Sequence, residues 1–466
     1  MHWFILSTDF LLYLLFGMLI LTVMRVLKNP VLRQQMKGVL CRPMNFAAFY
    51  LLVLYLIVGG LDSIHFEITN SKIQAEYPNS VISVLDMALK PALTHSEKTY
   101  SEPFALYGFA KETLMTEAGE FIQDYPRLKY AGAHLKSPDE RGQDIRKKLQ
   151  ILLFQGLLLA VALSVVFSWI CSWFTPASYE VFLAQIFHSQ TKFPFKTFFI
   201  LLGMTIVFLL FIDTFMPLYH ILGTGKVGED VLYQTLKSIR TGIVIGTLTT
   251  LIMLPFATLL GVMAGYFRGW VDDVIQYTYT TLSSIPGVLL IAAAVLTLQA
   301  VMARHTDWFQ TLIERSDARL LALCAILGIT SWTGLCRLLR GETLKIREIE
   351  YVQAARSLGL GDFKIILRHI IPNLMHILLI SVALDFSGLV LAEAVLSYVG
   401  VGVDPTTYSW GTMINGARLE MARMPMVWWS LVSAFIFMFI LVLSANIFAD
   451  ALRDSFDPRM QQGGRR

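Results

Sequence analysis

Charged residues are scarce in this chain of 466 residues, where Asp, Glu, Lys and Arg together make up 15%. A typical soluble domain carries roughly 25%. Cysteine is also rare, and Cys41, Cys171, Cys324 and Cys336 lack the spacing of a metal site or a disulfide framework. Hydrophobic residues, in contrast, make up 55% of the chain. The composition excludes an ordinary soluble domain and predicts a protein that crosses a membrane several times.

Catalytic and metal-binding motifs are missing as well. The nine histidines and the acids form no His-Glu-x-x-His pattern, no paired metal ligands and no nucleophile elbow. The GxGxxG spacing from Gly223 to Gly228 follows an apolar segment rather than a strand, so it does not indicate a nucleotide site. The net charge of +4 is modest and indicates no nucleic-acid partner. We therefore predict a non-catalytic chain that binds no metal and no cofactor of its own.

Nine apolar segments are long enough to be membrane spans. The run that begins at Val271 is too long for one simple span, and Pro286 is expected to kink it or to start it afresh. The predicted fold class is therefore an all-α polytopic membrane protein. The nine predicted spans are residues 4–24, 46–61, 150–174, 197–216, 241–266, 271–301, 320–339, 374–396 and 426–448.

Residues 350–373 form a polar, helix-prone segment between two of these apolar runs. The composition of residues 351–358 predicts a short helix with Ala354, Ala355 and Leu358 on one stripe. A face of small residues allows close backbone approach, so it suits docking into a groove on another protein.

A chain reversal and a second helix are predicted directly after this first helix. Gly359 and Gly361 lie two residues apart, and glycines that close together favour a sharp turn. The second helical run is predicted to start at Asp362, whose carboxylate can cap it. It is predicted to end at Pro372, where the next span begins.

This segment resembles the EAA loop of ABC importer permeases, whose pattern is Glu-Ala-Ala, three residues, Gly, and later Ile-x-Leu-Pro. Gln353 stands in place of the Glu and lacks its charge, and Ile371 stands in place of the Leu. The resemblance implies that the loop transmits closure of a separate ATPase subunit to the permease. The alternative is an ordinary amphipathic cytoplasmic loop. The residues that would carry the coupling are Glu350, Tyr351, Gln353, Ala354, Ala355, Leu358, Gly359 and Pro372.

Residues 220–240 resemble the H-x-L-G-T-D-x-x-G-R-D-V motif of dipeptide/oligopeptide importer permeases, C-type subunit. Gly225 and Glu229 replace the Asp and Arg of that motif, so an ion pair between those two positions is absent. Further matches at 265–270, 284–287, 393–400, 409–411 and 450–459 extend the resemblance over about 197–460, the six-span core of the family. The matching residues of the outer motif are His220, Gly223, Thr224, Gly228 and Asp230.

Placing the coupling loop, 342–372, in the cytoplasm fixes the orientation of every predicted span. The N-terminus and residues 62–148 then lie outside a bacterial inner membrane, and the C-terminus lies in the cytoplasm. Residues 25–42, which carry five cations and no acid, fall inside, in agreement with the positive-inside rule. Arg146, Lys147 and Lys148, at the outer edge, run against that rule.

The resemblance and the spans together predict five segments. They are a two-span hairpin (1–61), an extracytoplasmic domain (62–148) with an amphipathic helix around 104–121, an extra span with a cytoplasmic linker (149–196), the six-span core (197–449) and a cytoplasmic tail (450–466). The first 196 residues are thus an N-terminal extension beyond the family core. We hypothesise that the domain 62–148 docks or gates a binding protein.

Two carboxylates fall within the predicted span 374–396 and are assigned to a translocation pathway. Asp385 lies near the middle, where a charge costs about 3 kcal/mol. It is expected either to face a polar substrate pathway or to be hydrogen-bonded or protonated between helices. Glu393 lies near the outer end, where bracing the turn at 397–402 is the better explanation.

The resemblance implies a permease subunit of a binding-protein-dependent ABC importer for di- or oligopeptides, which works by ATP-driven alternating access. The expected partners are a second permease subunit, two ABC ATPase subunits that use the ATP, an extracytoplasmic solute-binding protein and membrane lipid. Nickel chelates and peptide-like toxins are alternative cargoes. A proton-coupled secondary transporter using Asp385, and a scaffold whose function lies in 62–148, are alternative functions.

Overall fold

The computed structural model describes residues 2–456, except 69–80, 116–120, 174–178, 189–190, 192, 306–308 and 310. Helices dominate the described residues, so the predicted all-α class is confirmed. The chain forms two compact units. The first comprises Met1–Phe4, Lys37–Arg240 and Gly416–Ile440, and the second comprises Ile5–Met36, Thr241–Asn415 and Leu441–Arg466. The division of the chain into the five predicted segments remains a prediction.

The helices and strands follow one another along the chain in three stretches. The first contains β1 (His2–Phe4), α1 (Ser7–Lys28), α2 (Pro30–Leu40), α3 (Pro43–Asp62), β2 (His65–Glu67), β3 (Val81–Ser83), α4 (Val84–Ala88), α5 (Lys90–Thr94), β4 (Glu112–Met115) and β5 (Phe121–Asp124). The second contains α6 (Arg141–Ser172), α7 (Tyr179–Phe187), α8 (Phe195–Phe215), α9 (Val231–Phe267), α10 (Trp270–Ser284) and α11 (Gly287–Arg304). The third contains α12 (Leu312–Arg347), α13 (Glu350–Ser357), α14 (Asp362–Ile365), α15 (Ile371–Tyr398), α16 (Trp410–Glu420) and α17 (Trp429–Phe456).

Two small antiparallel sheets belong to the first unit. In one, β2 lies between β1 and β3, with Phe66 opposite both Trp3 and Ile82. In the other, β4 and β5 pair where the sequence predicts a helix around 104–121, so that prediction is wrong for the described residues. Phe104 has a φ of 57°, in the left-handed region that ends a right-handed helix. The residues before β4 therefore cannot continue as one helix.

The first unit contains three long apolar helices, α3, α6 and α8, and a small residue lies where α6 crosses α8. A side chain at Gly156 of α6 would approach Val207 of α8 to 2.9 Å, so glycine permits this close crossing. Helix α6 starts at Arg141, before the predicted span, and its first turns carry the cations that contradict the positive-inside rule. Lys148 pairs with Asp144 at 2.7 Å, so part of that positive charge is neutralised locally.

The second unit contains two clusters of buried apolar side chains. The first joins α9, α11, α12 and α15, and Leu12 of α1 belongs to it. The backbone N–H of Thr8 donates to Asp317 Oδ2 at 3.1 Å, which fixes the start of α1 against α12. The second cluster joins α9, α10, α12, α13 and α14. Helix α1 of the N-terminal extension is therefore a packed member of this unit.

Eight described helices are long and apolar enough to cross a membrane, judged by length and composition. They lie at eight of the nine predicted spans. Around the first predicted span, the described apolar helix is Ser7–Met18, which is too short to meet this test, so a ninth crossing stays a prediction. The break predicted at Pro286 is confirmed, because α10 ends at Ser284 and α11 begins at Gly287. The eight helical stretches are Pro43–Asp62, Pro138–Ser172, Phe195–Phe215, Val231–Phe267, Gly287–Arg304, Leu312–Arg347, Asp362–Tyr398 and Trp429–Ser455.

Candidate functional site

The predicted coupling loop, 342–372, overlaps the end of α12 over residues 342–347, and its first separate helix is α13, Glu350–Ser357. Gly359 follows it with a φ of +78°, the left-handed conformation that glycine adopts most readily. The N–H of Leu360 donates to Ala355 O at 3.2 Å, and the N–H of Gly359 donates to Arg356 O at 3.0 Å. These bonds satisfy carbonyls at the helix end, as in a Schellman turn. The predicted reversal at Gly359 is confirmed.

The two faces of α13 differ from the predicted stripe. Val352 and Ala355 are buried in the second cluster of the second unit. Tyr351, Ala354 and Leu358 lie on the exposed face, and Leu358 is 81% exposed. The prediction of one stripe containing Ala354, Ala355 and Leu358 is therefore wrong, because Ala355 is buried whereas Ala354 and Leu358 are exposed. Tyr351, Ala354 and Leu358, here called the apolar face of α13, are flanked by exposed polar side chains such as Gln353 and Arg356, and nothing in the described residues of the chain covers Leu358.

Gln353, which replaces the acid of the family pattern, has partners of its own. Its Nε2 donates to the carbonyl of Glu348 at 3.2 Å and to the Glu348 carboxylate at 3.3 Å. Glu348 in turn pairs with Arg268 at 2.7 Å. A glutamate at position 353 would place two carboxylates side by side, and like charges at that spacing are destabilising. The neutral amide therefore suits its neighbour.

The second part of the loop starts at Asp362, as predicted. Gly361 has the extended conformation of an N-cap, and Asp362 is the first helical residue. The Asp362 carboxylate accepts from the hydroxyl of Tyr266 at 2.6 Å, and no side-chain cap forms. The prediction that Asp362 caps this helix is wrong. Its carboxylate instead ties the loop to the end of α9.

The predicted helix end at Pro372 is also wrong. A π-helical turn, Ile366–Ile370, joins α14 to α15, and the helical stretch runs without interruption over Asp362–Tyr398. Pro372 occupies the first turn of α15, a position that tolerates proline, and the wider π turn rearranges the preceding backbone hydrogen bonds. The loop is therefore mechanically continuous with a membrane-spanning helix.

Asp385 and Glu393 do not form one site. They are eight residues apart on α15, which places them about 12 Å apart along the helix axis. Asp385 Oδ2 is buried and has no hydrogen-bond partner in the described part of the chain. Glu393 is buried and accepts from the hydroxyls of Ser397 at 2.7 Å and Ser409 at 2.9 Å. This geometry suits Glu393 as a brace for the turn after α15.

The outer motif lies in the first unit, where it meets residues 97–104 of the N-terminal extension, here called the strap. The strap N–H of Glu97 donates to Gly228 O at 3.0 Å. The Thr224 N–H donates to Ser101 O at 3.1 Å, and its hydroxyl donates to Thr99 O at 2.7 Å. The extension and the family motif are thus joined backbone to backbone.

Two glycines of the motif make this approach possible. Gly223 and Gly228 have φ values of +73° and +77°. A side chain at Gly223 would collide with the carbonyl of Ser101, and one at Gly228 would collide with the carbonyl of Glu97. Glycine is required at both positions by backbone conformation and by space.

His220 lies between two carboxylates under the strap. Its Nδ1 is 2.8 Å from Asp230 Oδ2, and its Nε2 is 3.8 Å from Glu97 Oε1, close enough for an ion pair but too long for a hydrogen bond. Burial lowers the pKa of His220, but the hydrogen bond to Asp230 and the negative charges of Asp230 and Glu97 raise that pKa to about 9. His220 is therefore a cation at neutral pH.

Both carboxylates have further partners. Asp230 caps α9, since its Oδ1 accepts from the N–H of Leu232 at 2.8 Å. Burial raises the pKa of Glu97, but His220 and backbone N–H groups, including that of Tyr130 at 2.8 Å, lower that pKa to about 2. His220, Asp230 and Glu97 thus connect the start of α9 to the strap by charge.

Trp429, at the start of α17, also contacts this motif. Its indole Nε1 donates to Thr224 O at 3.0 Å, and the side chain is 1% exposed. The rings of Tyr100 and Phe109 pack against it edge-on. Trp429 is therefore a buried residue that holds the outer motif, whereas the neighbouring Trp428 is half-exposed.

A buried charge cluster joins the extension to α9 at a second place. Lys237 Nζ lies 3.1 Å from Asp62 at the end of α3 and 2.8 Å from Asp86 of α4. Ser83 donates to Asp62 at 2.7 Å, and Tyr233 donates to Asp86 at 2.8 Å. The ammonium group is satisfied by two carboxylates, which is how buried charges are accommodated.

Comparison with known proteins decides the family. The family described as "Binding-protein-dependent transport system inner membrane component" matches residues 257–462. The oligopeptide transport system permease protein OppC of Mycobacterium tuberculosis H37Rv is 34% identical over 239 residues, which are 51% of this chain and 76% of that protein. The chain belongs to this permease family. It is accordingly a multi-pass inner membrane protein.

Two further relatives of the permease have similar coverage. The glutathione transport system permease protein GsiD of Pectobacterium atrosepticum is 30% identical over 52% of this chain and 73% of the relative. The dipeptide transport system permease protein DppC of Lactococcus lactis subsp. cremoris is 28% identical over 52% of this chain and 65% of the relative. About half of the permease thus matches, as expected for a family core with an N-terminal extension.

The described side chains of the permease include no group of three or more His, Cys, Asp or Glu that could hold a metal ion. Two other features of the permease are candidates for function. One is the exposed apolar face of α13, joined through the π turn to α15. The other is the contact of the extension with the start of α9, which the sequence did not predict.

Proposed function

We propose that the chain is a permease subunit of an ABC importer for di- or oligopeptides, and that it works by ATP-driven alternating access. The observation that carries the coupling proposal is the apolar face of α13, on which Leu358 is 81% exposed. The helical stretch that follows, Asp362–Tyr398, continues into a membrane span. Phe363, in the next helix α14, is also exposed, at 73%. Peptide cargo is supported by the names of the relatives, an oligopeptide, a glutathione and a dipeptide permease.

Membership in this family implies an ATPase and a solute-binding protein as partners. We further propose one additional permease subunit and two ATPase subunits in the complex. ATP is bound and hydrolysed by the ATPase subunits, and the present chain contributes no catalytic group and binds no cofactor. Closure of the ATPase pair would move α13, and the continuous helix Asp362–Tyr398 would transmit that motion across the membrane.

The proposed orientation has the N-terminus outside and the C-terminus in the cytoplasm. Strand β1 pairs with β2, so the first residues of the chain lie beside the domain that follows α3. The exposed face of α13 must be cytoplasmic to reach an ATPase, and alternation of the spans then puts this domain outside. The basic residues between α1 and α3 fall on the cytoplasmic side, as the positive-inside rule requires.

Reconstitution tests this function directly. Proteoliposomes that contain the full complex, with ATP inside and the binding protein outside, should accumulate a labelled di- or tetrapeptide only when ATP is hydrolysed. Uptake that continues without ATP, collapses with a protonophore and disappears in Asp385→Asn would support the secondary transporter instead. ATP-dependent uptake of a nickel chelate or a peptide-like toxin, but of no peptide, would overturn the cargo assignment alone.

We also propose that the extracytoplasmic domain docks or gates the binding protein. The hairpin β4–β5 exposes Met115 and Phe121, which are 69% and 74% exposed. Phe121→Ser should lower peptide uptake that depends on the binding protein while leaving the basal ATPase rate unchanged. Normal uptake by this variant, and by a chain that lacks the hairpin, would exclude the hairpin as the docking element.

A further inference from the structure

A cleft lies where α1 ends and α2 begins. It is lined by Arg25, Lys28, Asn29 and Pro30 and has a volume of about 570 Å³. Asn29 is extended, as expected for a residue before proline, and this turns the chain out of α1 into α2. Arg25 and Lys28 are three residues apart in the last turn of α1, so both cations face the same side of the helix.

The second feature of this cleft is its positive charge, carried by Arg25 and Lys28. Among the described residues, no acidic side chain pairs with Arg25 or Lys28. Residues 25–42 carry five cations and no acid, so no carboxylate of this segment competes for them. A guanidinium matches a phosphate with two parallel N–H groups, and a neighbouring ammonium adds a point charge. The cleft is therefore complementary to a phosphate group.

The position of α2 places this cleft at the surface of the membrane. The hydroxyl of Ser455, near the end of the last apolar helix, donates to Gln35 O of α2 at 2.9 Å. Helix α2 is amphipathic, with Arg33 and Lys37 exposed and Val39 buried. A short helix with a basic polar face and a buried apolar face is typical of a helix that lies in the membrane interface. Phosphates of lipid headgroups lie at that depth.

We propose that this cleft binds the headgroup phosphate of an anionic phospholipid. The acyl chains would run along α1, whose Leu21 and Met24 are exposed apolar side chains near the cleft. A basic pocket between helices at the membrane surface has the chemistry of an anionic-lipid site. The assignment of this lipid to the cytoplasmic leaflet rests on the proposed orientation. Binding of the lipid itself does not depend on the proposed transport function.

The test uses native mass spectrometry of the full chain with its co-purified subunits, after addition of phosphatidylglycerol or phosphatidylcholine at equal concentration. Wild type should retain phosphatidylglycerol in preference to phosphatidylcholine. The double variant R25Q/K28Q should bind phosphatidylglycerol about 30-fold more weakly, and K28Q alone about fivefold, since each cation near the surface contributes a similar factor. The single variant keeps the test decisive if the double variant does not fold.

The matched control is Arg304→Gln, which removes an exposed cation from the last turn of another apolar helix, α11. This variant should retain phosphatidylglycerol as wild type does. Unchanged lipid retention in R25Q/K28Q and K28Q would overturn the proposal and leave the cations as orientation signals. Displacement of the lipid by an equal concentration of inorganic phosphate would also overturn it, because the site would then bind a free anion.

Discussion

Replacement of Gly228 by alanine should detach the strap from the outer motif. The φ of +77° costs a residue with a side chain about 1–2 kcal/mol. The new Cβ also collides with the carbonyl of Glu97, so the hydrogen bond from Glu97 N–H to Gly228 O is lost, at about 1 kcal/mol. Together these effects should raise the population with an open strap by about 30- to 150-fold.

Hydrogen exchange of the strap amides measures this population. In Gly228→Ala, the amides of residues 97–104 should exchange about 30- to 150-fold faster than in wild type. Gly400→Ala is the matched control, because Gly400 has a φ of +87° but open space around it. That variant should lose stability only near α15 and leave the strap protected. Wild-type protection of the strap in Gly228→Ala would refute the reasoning.

Three further predictions concern the same contacts. His220 has a pKa of about 9 in the folded protein against an ordinary 6.5, so its stabilisation of the strap should be complete below about pH 6.5 and lost as pH rises through 9. Protease resistance of the strap should therefore fall between those pH values, and His220→Gln should abolish the fall. Glu97 has a pKa of about 2 in the folded protein against an ordinary 4.5, so its contribution to the stability of the strap should be lost only as pH falls from 4.5 towards 2. A loss of protease resistance that begins at neutral pH on acidification would contradict this assignment. Lys237→Met leaves the buried carboxylates of Asp62 and Asp86 without a counter-charge, so it should lower the free energy of unfolding of the first unit by about 3–5 kcal/mol in thermal or denaturant unfolding. A change below about 1 kcal/mol would show that the cluster is solvated.

The first helix and the reversal of the coupling loop were predictable because their signals are local. Gly359 takes the left-handed conformation at the predicted reversal, and a helix occupies 350–357 as its composition indicates. The helix end at Pro372 was not predictable, because the π turn that accommodates this proline depends on the backbone around it. The face of α13 was also misassigned, since a short sequence does not show which of Ala354 and Ala355 meets the core.

The contacts of the outer motif lie beyond sequence reasoning because they are long-range. Trp429 donates to a carbonyl 205 positions away in the chain, and Lys237 meets Asp86 across 151 positions. A tryptophan at the start of an apolar helix is more often an interfacial anchor, so composition favours the wrong role. The one local signal of these contacts is the pair of glycines, Gly223 and Gly228. Glycine is typical of loops that another stretch of backbone approaches closely, and here the strap does so.

Co-purification of an ABC ATPase with the tagged chain tests the coupling proposal most directly. Wild type should bring down the ATPase from its native membrane, and Gly359→Pro should lose it, because proline cannot adopt the φ of +78° at this turn. Gly361→Ala is the matched control, since Gly361 has an ordinary φ of −64° and open space, and it should retain the ATPase. An ATPase that stays bound to Gly359→Pro, or that is absent from wild type while the chain remains in the membrane, would contradict coupling through α13.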